Sequence, residues 1–427
     1  MAELRKVAVI GGSRIPFCRS STDYHAIPNK KLMTRALRGL VSQYDLKGVP
    51  VGEVILGAVL KHARDFSLAR ETAIDAGLAW ETPGLDIQRA CGTSLEAAIL
   101  IAHKIAAGQY DSGIAAGVDT SSEVPIELPV NLSSTLVKLS RGKSMMDRIK
   151  TLGDLNPSAL GLSLPAVTEP RTGLSMGEHC EIMAKEWSIA RADQDELAAR
   201  SHNNAEQAYE RGFFGDLVTP FKGVEKDNNV RPGTTPDKIS KLGPAFDRTS
   251  GKGTLTAANS SPLTDGAAAV LLATEEWARS RDLPIQAWFT HSGLAGVDYE
   301  NKEGLLMAPA YAVPQMLDRA GLTLQDFDFY EIHEAFAAQV LCTLKAWNDE
   351  AFCKEKLGRD KVLGEIDRDK LNVAGGSIAL GHPFAATGAR IVATLAKLLQ
   401  EKGSGRGLIS ICTAGGMGVC AILEAAS

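Results

Sequence analysis

The sequence predicts an α/β layered fold, and three observations carry that prediction. Apolar strands alternate with helical stretches, the second half loosely repeats the first, and a more highly charged segment separates the two. Lys6-Val7-Ala8-Val9-Ile10-Gly11-Gly12 reads as a buried strand, Val54-Ile55-Leu56-Gly57-Ala58-Val59 as a second, and residues 94–107 as a helix. The early Gly11-Gly12-Ser13-Arg14 has neither GxGxxG spacing nor a GK[ST] ending, so no nucleotide loop is expected there.

The repeat follows the same order in both halves. Asp86-Ile87-Gln88-Arg89-Ala90-Cys91-Gly92 opens an alanine-rich helix, and Gly113-Ile114-Ala115-Ala116-Gly117-Val118 makes the next strand. Near the C-terminus, Leu371-Asn372-Val373-Ala374-Gly375-Gly376 precedes a helix over 386–401 and the strand Gly407-Leu408-Ile409-Ser410-Ile411-Cys412. Residues 51–57 have a counterpart in 324–331. Such doubling places the loops of both halves around one cleft.

Residues 126–249 differ in kind, with more charge, a long helix over 192–212 and turn-rich pieces such as Asn228-Asn229-Val230-Arg231-Pro232-Gly233. Within them Lys138, Arg141, Lys143, Arg148 and Lys150 interleave with Leu136, Val137, Leu139, Met145, Met146 and Ile149. The first expectation for this run is a solvated helix face packed on its own protein. The second is peripheral membrane or partner contact through residues 133–165.

A chain of 427 residues is too long for one ordinary core. Its 44% hydrophobic and 23% charged content is that of a soluble globular protein, and a net charge of −5 argues against nucleic acid as a partner. No apolar run approaches the ~20 residues a spanning helix needs, and the N-terminus lacks a signal-peptide core. Seven cysteines without CxxC pairs fit a reducing cytoplasm rather than a disulfide framework or a zinc site.

Chemistry concentrates at three small-residue turns. Cys91 precedes a helix whose N-terminal amides favour a thiolate, and Gly92 permits the turn that exposes the sulfur. His382 lies in Gly381-His382-Pro383 at the start of another helix, with Pro383 at an early helical position. Cys412 ends a strand and runs into Thr413-Ala414-Gly415-Gly416-Met417-Gly418, whose amides can face an oxyanion. His333-Glu334-Ala335-Phe336 follows the strand 327–332, and HExxH is absent because Ala337 holds the fifth position, so no metal is expected. Each residue alone has a structural explanation: a buried thiol, a capping imidazole, a tight turn. Two thiols and an imidazole together suit an acyl transfer that makes or breaks a carbon–carbon bond.

In this order, QRACGTSLEA, TAANSSPLTDGAAAV, HEAFAAQ, GGSIALGHPFAATGAR and CTAGGMG resemble the thiolases, and the likeness covers essentially the whole chain. It is nearest to the β subunit of the trifunctional fatty-acid oxidation complex and its bacterial counterparts, with HEAF where most thiolases have NEAF. It departs from that subgroup at Gly416-Met417-Gly418 and around Cys91.

The resemblance implies duplicated βαβαβ halves in a five-layered α/β/α/β/α core. Residues 1–125, with 250–285 returning to them, form one half and 286–427 the other, while 126–249 form an inserted lid. It implies 3-ketoacyl-CoA thiolysis, with Cys91 as nucleophile, His382 as its base and Cys412 as the acid/base on carbon. One oxyanion site would use His382 and His333, the other the backbone amides of Cys91 and Ala414. Met176, Arg231, Phe246, Ser261 and Phe336 would line the coenzyme A channel, with Arg231 near a phosphate. Coenzyme A and acetyl-CoA would be substrates, with no permanently bound cofactor. A homodimer or homotetramer is expected, along with a hydratase/dehydrogenase α subunit as partner. The alternatives are an acetoacetyl-CoA thiolase working by Claisen condensation and a non-catalytic acyl-CoA or lipid-binding protein. A ketoacyl synthase fits less well because Cys412 is present.

Overall fold

Among the described residues, short runs of β-branched and small apolar residues form ten strands. They are β1 (Ala8–Arg14), β2 (Cys18–Arg19), β3 (Glu53–Gly57), β4 (Gly84–Ile87), β5 (Ser112–Asp119), β6 (Thr264–Ala273), β7 (Ala287–Gly296), β8 (Phe329–Ile332), β9 (Arg406–Thr413) and β10 (Met417–Ala425). The computed structural model describes residues 4–153, 165, 168–301 and 303–426. Part of the 133–165 segment singled out above therefore lies outside the described residues.

The hydrogen-bonded order is β4-β3-β5-β6-β1-β7-β10-β9-β8, with β2 on β6. β3 runs parallel to β4 and β5, and β8 parallel to β9. A helix precedes β5 (Thr93–Ala106) and another precedes β9 (Thr387–Lys402), so one supersecondary unit occurs twice. β6, which follows the insertion, lies between β5 and β1.

Five layers are present, defined by three cores. One core lies between the first strands and the helices Asn29–Gln43 and Leu68–Ala76. A second lies between β7 to β10 and the helices Ala308–Ala320 and Ala337–Trp347. The third surrounds the two central helices, Thr93–Ala106 and Thr387–Lys402, with strand residues from both halves on either side. The halves are not separate sheets, because β1 and β7 pair at Ala8↔Trp288 and Val9↔Ala287 and join them in one ladder.

The central helices meet closely at their N-terminal ends. A Cβ at Gly388 would lie 2.2 Å from the backbone nitrogen of Leu95, and the Ala389 amide donates to Ser94 Oγ at 2.8 Å. This contact brings together the two turns that carry Cys91 and His382.

The described residues after 153 in the 126–249 segment are tied into the body rather than hung from it. Arg14 of β1 makes two bonds, 2.6 and 2.7 Å, to the buried carboxylate of Asp227. The Met176–Glu186 helix starts with a capping box between Ser175 and Glu178, and it buries Cys180, Met183 and Ala184 in the second-half core. The Val130–Arg141 and Met145–Gly153 helices behave differently. Val130, Met145, Met146 and Ile149 stand exposed there beside the basic residues.

Candidate active site

Cys91 sits in a 3-10 turn (Ala90–Gly92) that runs directly into the Thr93–Ala106 helix. The left-handed residue of this turn is Ala90, with φ 42°, and not Gly92, whose φ is −89°. Gly92 is needed for space, since a Cβ there would lie 2.5 Å from Val419 Cγ1 and 3.1 Å from Thr413 Cγ2.

His382 follows a short helix, Ser377–Leu380, and Gly381 with φ 102°. The following helix begins only at Thr387, after a 3-10 turn at Phe384–Ala386, so Pro383 precedes that turn instead of starting the helix. Glycine again makes room, because a Cβ at Gly117 would lie 2.0 Å from the Ala385 carbonyl oxygen.

The two histidines come together. His333, directly after β8, and His382 have ring centroids 4.2 Å apart. Reactive atoms of Cys91, His333 and His382 all lie within 4.8 Å of one another. His333 Nδ1 is 2.8 Å from Ser377 Oγ, and His382 Nδ1 is 2.6 Å from Thr387 Oγ1. Both Nε2 atoms are buried without a protein partner, so they remain free for a substrate oxygen or the Cys91 proton.

Electrostatics decide the resting state of the thiols. Burial pushes the Cys91 thiol up to about 12, outweighing bonds from the Ala414 amide and its own amide. The helix N-terminus therefore does not yield a standing thiolate, and a base must remove the proton. Cys412, 1% exposed, is held well above its ordinary value by burial and by the nearby Cys91. Burial and Arg390 lower His382 to about 3, so this imidazole is neutral at pH 7.

Several supporting residues carry no obvious sequence signal. Asp119, at the end of β5, accepts from Val59 and Leu60 amides at 2.9 and 2.7 Å and from the Ala385 amide at 2.7 Å. It thus pins the His382 turn to the loop after β3. Glu334 accepts from Ser201 Oγ, Asn372 Nδ2 and the Ile378 amide, which makes it a structural node within HEAF. Glu169 accepts from the Gly415 amide at 2.6 Å and holds the glycine turn after Cys412.

Met176 lines a cavity of about 600 Å³ that Cys91 and Ala414 also line. Phe246 and Phe336 stack edge to face at 5.7 Å, and Ser261 Oγ donates to the Ala335 carbonyl at 2.9 Å. Arg231 is exposed, donates to the Asn228 carbonyl of its own turn, and is not among the residues lining that cavity.

The buried imidazoles predict acid lability. His202 is lowered to about 4 by burial and Arg231, and His333 lies well below the ordinary value. An unfolded histidine takes its proton near pH ~6.5, before these folded ones do, so the unfolded chain binds more protons below that pH. Stability is then full above pH ~6.5 and falls toward pH ~4, by up to ~1.4 kcal/mol per pH unit for each such histidine. Buried Asp119 and Glu331, raised to about 7 and about 8, act with the opposite sign over the same range, so the test is the difference between parent and His202→Gln. From pH ~7.5 to ~5 the urea midpoint of His202→Gln should rise relative to the parent's, and a constant difference would contradict the assignment.

Comparison with known proteins identifies the family. Residues 7–276 match the family model described as thiolase, N-terminal domain, and residues 283–425 that of thiolase, C-terminal domain. A 3-ketoacyl-CoA thiolase of Photobacterium profundum is 41% identical over 426 residues, covering 98% of this chain and 97% of that protein. One of Photorhabdus laumondii is 42% identical over 425 residues, with the same coverage. Among solved structures, a Bacillus anthracis acetyl-CoA acetyltransferase superposes with a TM-score of 0.82 at 29% identity. Human mitochondrial 3-ketoacyl-CoA thiolase does so at 0.82 and 27%, and both cover 100% of each chain.

Proposed function

The chain belongs to the thiolase family, and we propose that within it the protein is a 3-ketoacyl-CoA thiolase of fatty-acid β-oxidation. The observation that carries this reading is the cluster of Cys91 with two neutral, unpartnered imidazole nitrogens within 4.8 Å, beside the second buried thiol.

His382 takes the Cys91 proton as the sulfur attacks C3 of the 3-ketoacyl-CoA. The C2–C3 bond then breaks, and its electron pair moves onto the departing acetyl thioester as an enolate. Cys412 protonates C2 and acetyl-CoA leaves. Coenzyme A next gives its thiol proton to the Cys412 thiolate and attacks the acyl–Cys91 thioester. The displaced Cys91 sulfur recovers its proton from His382. His382 and His333 would stabilise one oxyanion, and the Cys91 and Ala414 amides the other. Met176, Phe246, Ser261, Phe336 and Arg231 remain our assignment for coenzyme A, with 126–249 as the lid between halves 1–125 (plus 250–285) and 286–427.

The apolar wall of the Cys91 cavity, formed by Val59, Leu60, Val124, Leu263, Phe384 and Met417, favours a long acyl chain and the trifunctional type. The ratio of kcat/KM for 3-ketohexadecanoyl-CoA to that for acetoacetyl-CoA should be at least ~10, on the order of two buried methylenes or more. A ratio below one would place the protein with the acetoacetyl-CoA thiolases.

We assign it to a reducing cytoplasm, since all seven cysteines are unpaired. A homo-oligomer and a hydratase/dehydrogenase partner follow the same reading. No described helix is long and apolar enough to cross a membrane. The exposed apolar residues Met145, Met146 and Ile149 beside Arg148 and Lys150 support surface contact with anionic lipid. Flotation with phosphatidylglycerol vesicles should be lost when Lys138, Arg141, Lys143, Arg148 and Lys150 are neutralised, and unchanged flotation would retire the idea.

A further inference from the structure

We propose that Ser377, oriented by Arg390, is a positioning residue that fixes His333 in the tautomer bearing its proton on Nε2, so that His333 serves as a hydrogen-bond donor to the substrate oxygen and never as the base. This inference rests on the thiolase reading and separates the roles of two neighbouring imidazoles that composition alone leaves interchangeable.

The assignment follows from counting donors and acceptors. Arg390 is 1% exposed and donates from Nη2 to Ser377 Oγ at 3.0 Å. The same Oγ lies 2.8 Å from His333 Nδ1. A guanidinium has donors only, so Ser377 must accept from Arg390. Its single hydroxyl hydrogen then has one acceptor to go to, His333 Nδ1. An Nδ1–H tautomer would leave that buried O–H with nothing to donate to. Burial, together with the charge of Arg390, keeps His333 neutral, so a ring whose Nδ1 accepts carries its one hydrogen on Nε2. That nitrogen is the one buried without a protein partner at the Cys91 cluster.

His382 is held differently. Its Nδ1 contacts Thr387 Oγ1 at 2.6 Å, and no arginine donates to that hydroxyl. The Thr387 hydroxyl is therefore free to accept from Nδ1–H or to donate to Nδ1, and no comparable chain fixes the His382 tautomer. Glu331 lies on the other side of Arg390, 3.5 Å from Nη1 and without a hydrogen bond to it. The chain Arg390–Ser377–His333 thus orients one imidazole through groups that never touch substrate.

The test is a double-mutant comparison. Ser377→Ala should lower kcat for 3-ketoacyl-CoA thiolysis ~10- to 100-fold, with KM for coenzyme A unchanged within about twofold, because a mis-set tautomer removes a transition-state donor. In a His333→Asn background the side-chain amide has no tautomer to set, and Ser377→Ala should cost less than ~3-fold. An equal loss in both backgrounds, or no loss in the parent, would overturn the proposal. The second arm needs no turnover. Nitrogen-15 NMR of histidine-labelled protein should find the His333 hydrogen on Nε2, and finding it on Nδ1 would overturn the proposal. A parent without thiolysis would instead refute the functional reading while this arm still reads the tautomer.

Discussion

Replacing Cys91 with alanine is expected to lower thiolysis at least ~10⁴-fold, equivalent to about 5.5 kcal/mol in the barrier, while leaving the fold intact. Nothing nearby can take over the covalent step. Cys412 is buried, and its thiol is held further from ionisation than an ordinary cysteine by burial and by Cys91 itself. The histidines are held neutral and are assigned as base and donor in the reading proposed above. Removing the Cys91 sulfur leaves the Ala90–Gly92 turn and its helix in place, so the melting temperature should stay within a few degrees. Steady-state thiolysis and a melting curve on the same preparation check both halves of the expectation.

Cys412→Ala should separate the two thiols. Carbon–carbon cleavage needs a proton delivered to C2, so thiolysis should fall ~10²- to 10⁴-fold, the usual range for losing a positioned acid. Transfer of a saturated acyl group from one thiol to another through Cys91 breaks no carbon–carbon bond. It should therefore fall less than thiolysis, because no C2 proton is moved and only the incoming thiol's proton loses its acceptor. Equal losses in both assays would mean that Cys412 acts by packing alone.

The reactive residues were legible because each lies in a local pattern that states its backbone context. Cys91 before an alanine-rich helix, His333 after a strand and Cys412 before a glycine turn all occupy those places in the structure. What the sequence left unread depends on burial or on distant partners. The helix N-terminus before Cys91 suggested an easily ionised thiol, but desolvation outweighs its amides, and desolvation is a property of the packed site. Asp119 and Ala385 are 266 positions apart in the chain, and Arg390 reaches His333 only through Ser377. No local periodicity reports such contacts. Gly92 and Ala90 illustrate a subtler miss. The glycine was assigned the strained turn, yet the alanine adopts it, and the glycine is there to clear Val419. The two-pair seam between β1 and β7 that joins the halves is too short to leave a trace in hydrophobic pattern.

The division of labour around Cys91 is tested most directly by mixing the protein with a 3-ketoacyl-CoA in the absence of free coenzyme A and mapping the adduct by mass spectrometry. A stoichiometric shortened acyl group on the Cys91 peptide, removed when coenzyme A is added, is the predicted result. An unmodified protein that still turns over when coenzyme A is present, or an acyl group on Cys412, would contradict it.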